Sequence, residues 1–214
     1  NASIYDTAAL TIDGASVGTG DTLTITDTNA HGIGQGAGSG NKITASNLVI
    51  KDVNGAINLN NTSNAIGTLA LTANGSSTVD DSIALEVLGA SVGSSNALTL
   101  YETNGNITQG AAATNAISAS VLNLTDTSGA VILDNTSNTV GTLMLSATGD
   151  STFDDASGLV LNGITVSGGH SFTVNDTGGN ITQTAAISAG SLNATATSGG
   201  ITLTNSGNAV GAAS

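Results

Sequence analysis

The sequence predicts an all-β chain, a right-handed parallel β-helix (β-solenoid), and three observations predict it. Apolar residues alternate over short runs, among them Leu48-Val49-Ile50, Leu69-Ala70-Leu71, Leu85-Glu86-Val87 and Leu98-Thr99-Leu100. A period of two marks strands with one buried face. The runs also recur: residues 32–105 align with 106–179 without a gap, a repeat of 74 residues. Finally, the aromatic fraction is 2%, with Phe153, Phe172, Tyr5 and Tyr101 the whole supply. Such a core is a narrow space lined by Ala, Val, Ile and Leu.

The elements follow the chain in order. Residues 1–31 form a partial copy, in which Gly14-Ala15-Ser16-Val17-Gly18 matches Gly89-Ala90-Ser91-Val92-Gly93. Residues 32–105 are the first full copy. In the second, 106–179, Asn135-Thr136-Ser137-Asn138 stands for Asn61-Thr62-Ser63-Asn64, and Val140, Leu143 and Leu145 stand for Ile66, Leu69 and Leu71. Residues 180–214 restart the pattern but omit four residues after Gln183, so that Ile187, Leu192, Leu203 and Val210 align with Ile117, Leu122, Leu133 and Val140. The whole of 1–214 therefore reads as one continuous solenoid segment. It opens and closes in mid-repeat, so any export signal is expected outside it.

Between the apolar runs lie Asn-Gly, Ser-Gly, Thr-Gly and Gly-Gly pairs, which are expected to supply positive φ at tight corners. No 3.6-residue stripe occurs, and helix is not expected. A string of immunoglobulin-like domains is the rival architecture. Those sandwiches centre a two-sheet core on a large aromatic and usually place Pro in their turns; this chain has no Trp and no Pro. A solenoid interior, with sheets about 10 Å apart, suits small aliphatics stacked in layers. At roughly 18–25 residues per coil, one 74-residue repeat is three or four coils. At ~4.8 Å per coil the rod would be roughly 40–60 Å long. A coil cannot bury its apolar face alone, and open coil ends expose strand edges that recruit adjacent repeats or further copies of the chain.

Charge narrows the function classes. The only basic side chains are Lys42 and Lys51 against fifteen acids, a formal charge of −13. Phosphate neutralisation needs Lys or Arg, so nucleic acid is not an expected partner, nor is an anionic membrane surface. No apolar run reaches membrane-spanning length. The absence of Cys excludes disulfides and thiolate metal sites.

The last copy reads NITQTAAISAGSLNATATSGGITLTNSGNAVG over Asn180–Gly211. Its Ile-Thr-Gln opening, Ala-Ile-Ser-Ala run, Gly-x-Ile-x-Leu segment and Asn-x-Val-Gly close resemble the repeats of filamentous-haemagglutinin-like exoproteins of two-partner secretion. They also resemble the giant β-strand-repeat surface proteins of Gram-negative bacteria. All three copies carry these features at aligned places, with Gly34 replacing Thr, Lys42-Ile43-Thr44-Ala45 standing for the Ala-Ile-Ser-Ala run and Ile66 for Val in the first, and Val131 for Ile in the second. The resemblance covers about half of each repeat. It implies a right-handed β-helical shaft, extracellular or on the bacterial cell surface, serving adhesion or biofilm structure and meeting a host or cell-surface receptor.

Candidate chemistry is sparse. The acidic pairs Asp80-Asp81 and Asp154-Asp155, with Asp6 at the equivalent place in the first copy, combine carboxylates with Gly/Asn-rich corners, as a calcium (Ca²⁺) site would. The plainer expectation is a solvated turn. Tyr5 in place of the first Asp, and the lack of a calcium-binding nonapeptide, favour the latter. A polysaccharide-cleaving enzyme would need a basic residue among clustered carboxylates. The chain lacks Arg, and its carboxylates recur with the repeat, so no catalytic residue, cofactor site or enzyme activity is expected. His31 and His170 occupy non-equivalent positions and read as loop residues. Gln35, Gln109 and Gln183 do recur, and are expected to close corner hydrogen bonds. A shaft segment of an adhesin is the leading expectation. A self-assembling subunit of an extracellular filament, sheath or surface layer is the alternative.

Overall fold

In a computed structural model, which describes residues 1–214, the chain is a parallel β-solenoid. Twenty strands join one continuous sheet and every strand pair is parallel. Consecutive strands fall on two different ladders. Ser77–Asp81 pairs with Ala97–Glu102, whereas the next strand, Leu85–Ser91, pairs with Ile107–Gln109. With two strands per coil the rod has about ten coils, or about 50 Å at the usual inter-strand spacing.

The sequence repeat and the coil are out of step. Leu48 climbs one ladder through Leu69 and Val87 to Gln109. Its copy Leu122 sits on the other ladder, above Leu98 and below Leu143. One 74-residue repeat thus spans three coils and a half, and successive copies present the same residues to opposite sides of the rod. The expected three or four coils resolve to a half-integer because the repeat length sets the total path and not the angle at which it closes.

Alternation builds the interior as expected. Forty-three buried hydrophobic residues form a single cluster. Phe153 and Phe172 are fully buried where the preceding copy has Val79 and Leu98. Each buried Ile, Leu or Val contributes on the order of 1.5–3 kcal/mol, and only through the coils above and below it.

Two local features depart from expectation. Single 3₁₀ turns occur at Ser39–Asn41 and at Ala113–Asn115, equivalent places in two copies. The four residues missing after Gln183 remove this turn from the last copy, and the backbone runs on as one strand, Ile181–Ala196. Corner glycines also divide into two kinds. Gly14, Gly89 and Gly163, at one repeat position, have φ of 95°, 106° and 87°. Gly89 lies in a bulge, where the register passes from Leu69↔Val87 to Leu71↔Ala90. Gly55 and Gly129, in Asn-Gly and Ser-Gly pairs, do not have positive φ. They are glycine because the next coil is too close: a Cβ on Gly129 would lie 1.7 Å from the Gly105 carbonyl oxygen.

Candidate functional site

The acidic pairs are not solvated turns. Asp80-Asp81 ends the strand Ser77–Asp81, and Asp154-Asp155 ends Ser151–Asp155. Neighbouring strand residues point to opposite faces, so the carboxylates of each pair diverge. Asp81 and Asp155 are fully buried, whereas Asp80 and Asp154 stand on the outer face, partly exposed. Asp81 Oδ1 accepts the Ile66 N–H at 2.9 Å and its Oδ2 accepts the Ile83 N–H at 3.4 Å. Asp155 does the same for Val140 at 2.8 Å, and accepts the N–H and hydroxyl of Ser157 at 2.9 and 3.0 Å.

Burial pushes the Asp81 carboxyl up to about 7, against the lowering effect of its backbone donors. Burial raises Asp155 as well, with Asp176 adding to the rise. Asp80 is raised by burial; Asp154 is too, opposed by the Asn175 amide that donates to it at 2.7 Å. No three carboxylates or histidines converge on one metal-sized point.

The inward acids belong to a larger pattern that reading for adjacent pairs misses. Strand register stacks Asp6, Asp27 and Asp52 in one column and Asp81, Glu102 and Asp126 in a second. Asp155 and Asp176 form a third, closed above by Ala196. The signal was present in the sequence, since most of these acids follow an apolar-x-apolar-x run at a recurring position, as in Leu98-Thr99-Leu100-Tyr101-Glu102, with Ser77 and Ser151 opening the run before Asp81 and Asp155.

One oxygen of each of these acids except Asp6 caps the corner that follows. Asp126 Oδ1 accepts the N–H groups of Ser128 and Gly129 at 3.0 and 2.6 Å, and Asp176 Oδ1 those of Gly178 and Gly179 at 2.8 and 3.0 Å. Asp52 caps Asn54 and Gly55, Asp27 caps Asn29, and Glu102 caps Asn104. The second oxygen of Asp27, Asp52, Glu102, Asp126 and Asp176 is buried and has no partner. No lysine or histidine pairs with any of them. The side-chain ion pair of the chain, His170 with Asp150 at 3.2 Å, lies at an exposed corner on the surface. His31 is exposed.

The recurring glutamines do close corners, and they do so through partners not singled out from the sequence. Gln109 Nε2 donates to Asn138 Oδ1 at 2.7 Å, and Asn138 Nδ2 donates back to Gln109 Oε1 at 3.1 Å. Gln35 with Asn64 and Gln183 with Asn208 repeat the exchange. Ser77 and Ser151 were also missed: their buried hydroxyls accept the N–H groups of Ile57 and Val131. The surface grooves carry no comparable chemistry. One between corners 36–39 and 60–63 offers only amides, hydroxyls and backbone.

Residues 148–214 match a family described as repeats of unknown function (DUF5649). No curated protein and no solved structure matches the chain. Sequence and fold together make it a repeat-rich β-solenoid protein.

Proposed function

We propose that this chain is a non-catalytic shaft segment of a secreted or cell-surface bacterial adhesin of the filamentous-haemagglutinin-like kind, from a Gram-negative cell. One observation carries the reading: the buried polar groups recur with the repeat and are spent on holding coils and corners together. Gln–Asn pairs, corner carboxylates and buried serines all meet backbone or the neighbouring coil. A unique cluster of reactive groups, the usual mark of an active site, is not among them. The Ile-Thr-Gln and Asn-x-Val-Gly motifs add the surface-protein resemblance. On this reading the chain's immediate partners are adjacent repeats, and its task is to hold a receptor-binding region away from the cell.

Electron microscopy of the native material tests the proposal. Isolated thin rods, with a contour length set by one chain, are the expected result. Long uniform fibres with a repeat near one subunit would instead make the chain a self-assembling unit of a filament, sheath or surface layer.

A further inference from the structure

Seven of the fifteen acids are fully buried: Asp27, Asp52, Asp81, Glu102, Asp126, Asp155 and Asp176. None has a cationic partner, and five keep an oxygen that is both buried and unpartnered. An ionised carboxylate in such a place loses its hydration and gains nothing in return. Stacking in register makes this worse, since each acid faces another at one coil spacing, about 4.8 Å along the ladder. Like charges so placed cannot all ionise, and one proton between two carboxyl groups relieves the pair.

We infer that the carboxylate columns are proton-binding sites, in which acids of adjacent coils share protons taken from solvent as the rod folds. The column Asp81–Glu102–Asp126 carries the inference furthest. Glu102 stands between the other two, its Oε1 held by the Asn104 N–H and its Oε2 free. Asp126 likewise has Oδ1 committed to Ser128 and Gly129 and Oδ2 free. A proton on one free oxygen gives the pair the donor that both lack. Burial, with Asp126 and Asp81 alongside, pushes Glu102 up to about 7.

No titratable strand residue lies directly below or above this column: the strand below, Ile57–Leu59, and the strand above Asp126, Thr139–Ala147, contain none. Asp80, Tyr101 and Thr125 occupy the alternate positions of the three strands and face outward. Lys51, beside Asp52 in another column, is exposed. The unfolded chain would release these protons above the ordinary carboxylate range, near 4. In the folded chain Asp81 and Glu102 keep theirs until the pH passes about 7. Stability is therefore greatest in acid and is lost as pH rises across that window, by about tenfold in the folding constant per pH unit for each proton retained. The rod holds together more firmly as its surroundings acidify.

Infrared spectroscopy of the intact chain, dialysed free of metals, tests the inference. At pH 7 the folded protein is expected to show the carbonyl stretch of buried protonated carboxyl groups. The band should weaken in Glu102→Gln, a variant that also loses part of the pH dependence of urea unfolding. A spectrum without the band would overturn the inference. So would a cation that survives dialysis at about one per column, which would make the columns cation sites. If Glu102→Gln fails to fold, the spectrum of the unaltered chain and its unfolding midpoints at pH 5 and pH 8 decide the matter: equal midpoints contradict proton retention.

Discussion

Gln109 and Asn138 face each other across one coil step and exchange two hydrogen bonds, 2.7 and 3.1 Å long. Asn138 then binds three further backbone groups. It accepts the Ile117 N–H at 2.8 Å and donates to the carbonyls of Asp154 at 3.0 Å and Leu133 at 3.4 Å. A single buried amide thus joins several turns of the rod. Asn138→Ala orphans these groups, and each buried polar group left unpaired costs about 1–3 kcal/mol. The substitution should lower the stability by about 3–4 kcal/mol in urea unfolding. The same change at Asn208, which is only partly buried, should cost clearly less.

Gly129 tests coil-to-coil approach. Its Cβ would meet the Gly105 carbonyl at 1.7 Å, so Gly129→Ala must push two coils apart and should cost about 3 kcal/mol. Gly20 has φ +81° and open space around it. Gly20→Ala should cost about 1 kcal/mol, through backbone strain alone. Thermal unfolding of the two variants side by side checks the order.

The phenylalanine pair tests the layered core. Phe153→Ala leaves a void in a fully buried layer and should cost about 3–5 kcal/mol. Phe153→Val with Phe172→Leu installs the residues of the preceding copy at both places. This double variant should keep the fold and cost less than Phe153→Ala, as measured by urea unfolding.

Calcium is expected to leave the melting temperature unchanged. The Asp80 and Asp81 carboxylates point to opposite faces of their strand, as do those of Asp154 and Asp155, and both oxygens of Asp81 and Asp155 already accept hydrogen bonds. Titrating calcium, then a chelator, during thermal unfolding checks this. A rise of several degrees on adding calcium would restore the acidic corners as a metal site.

Much of this architecture was legible because alternation, repetition and aliphatic composition each constrain it. Leu48, Leu69 and Leu98 could be placed in the core from their runs alone. The ladder on which each falls could not, since that depends on corner angles which no residue type encodes. The acidic pairs drew attention through adjacency, yet strand parity separates their members and makes Asp81, not the pair, the significant group. Glu102 and Asp126 went unnoticed as single acids 24 residues apart, and only the pairing register brings them together. Gln109 was noticed as a recurring amide. Asn138 was seen to recur as well, but not as its partner, because the two lie 29 positions apart. The glycine pairs were expected to serve backbone freedom, but at Gly55 and Gly129 they serve close approach, which depends on the neighbouring coil.

One repeat spans three and a half stacked coils, so that vertical neighbours touch and repeat equivalents do not. Since the chain has no cysteine, engineered pairs report on this directly. Thr99 and Asn123 are register partners on adjacent coils, joined by a 3.2 Å hydrogen bond. Val49 occupies the place of Asn123 in the preceding copy and lies on the other ladder. Under mild oxidation, Thr99→Cys with Asn123→Cys should form an intrachain disulfide, while Val49→Cys with Asn123→Cys should remain reduced. The reverse outcome, a bond between 49 and 123 and none between 99 and 123, would contradict the stacked rod.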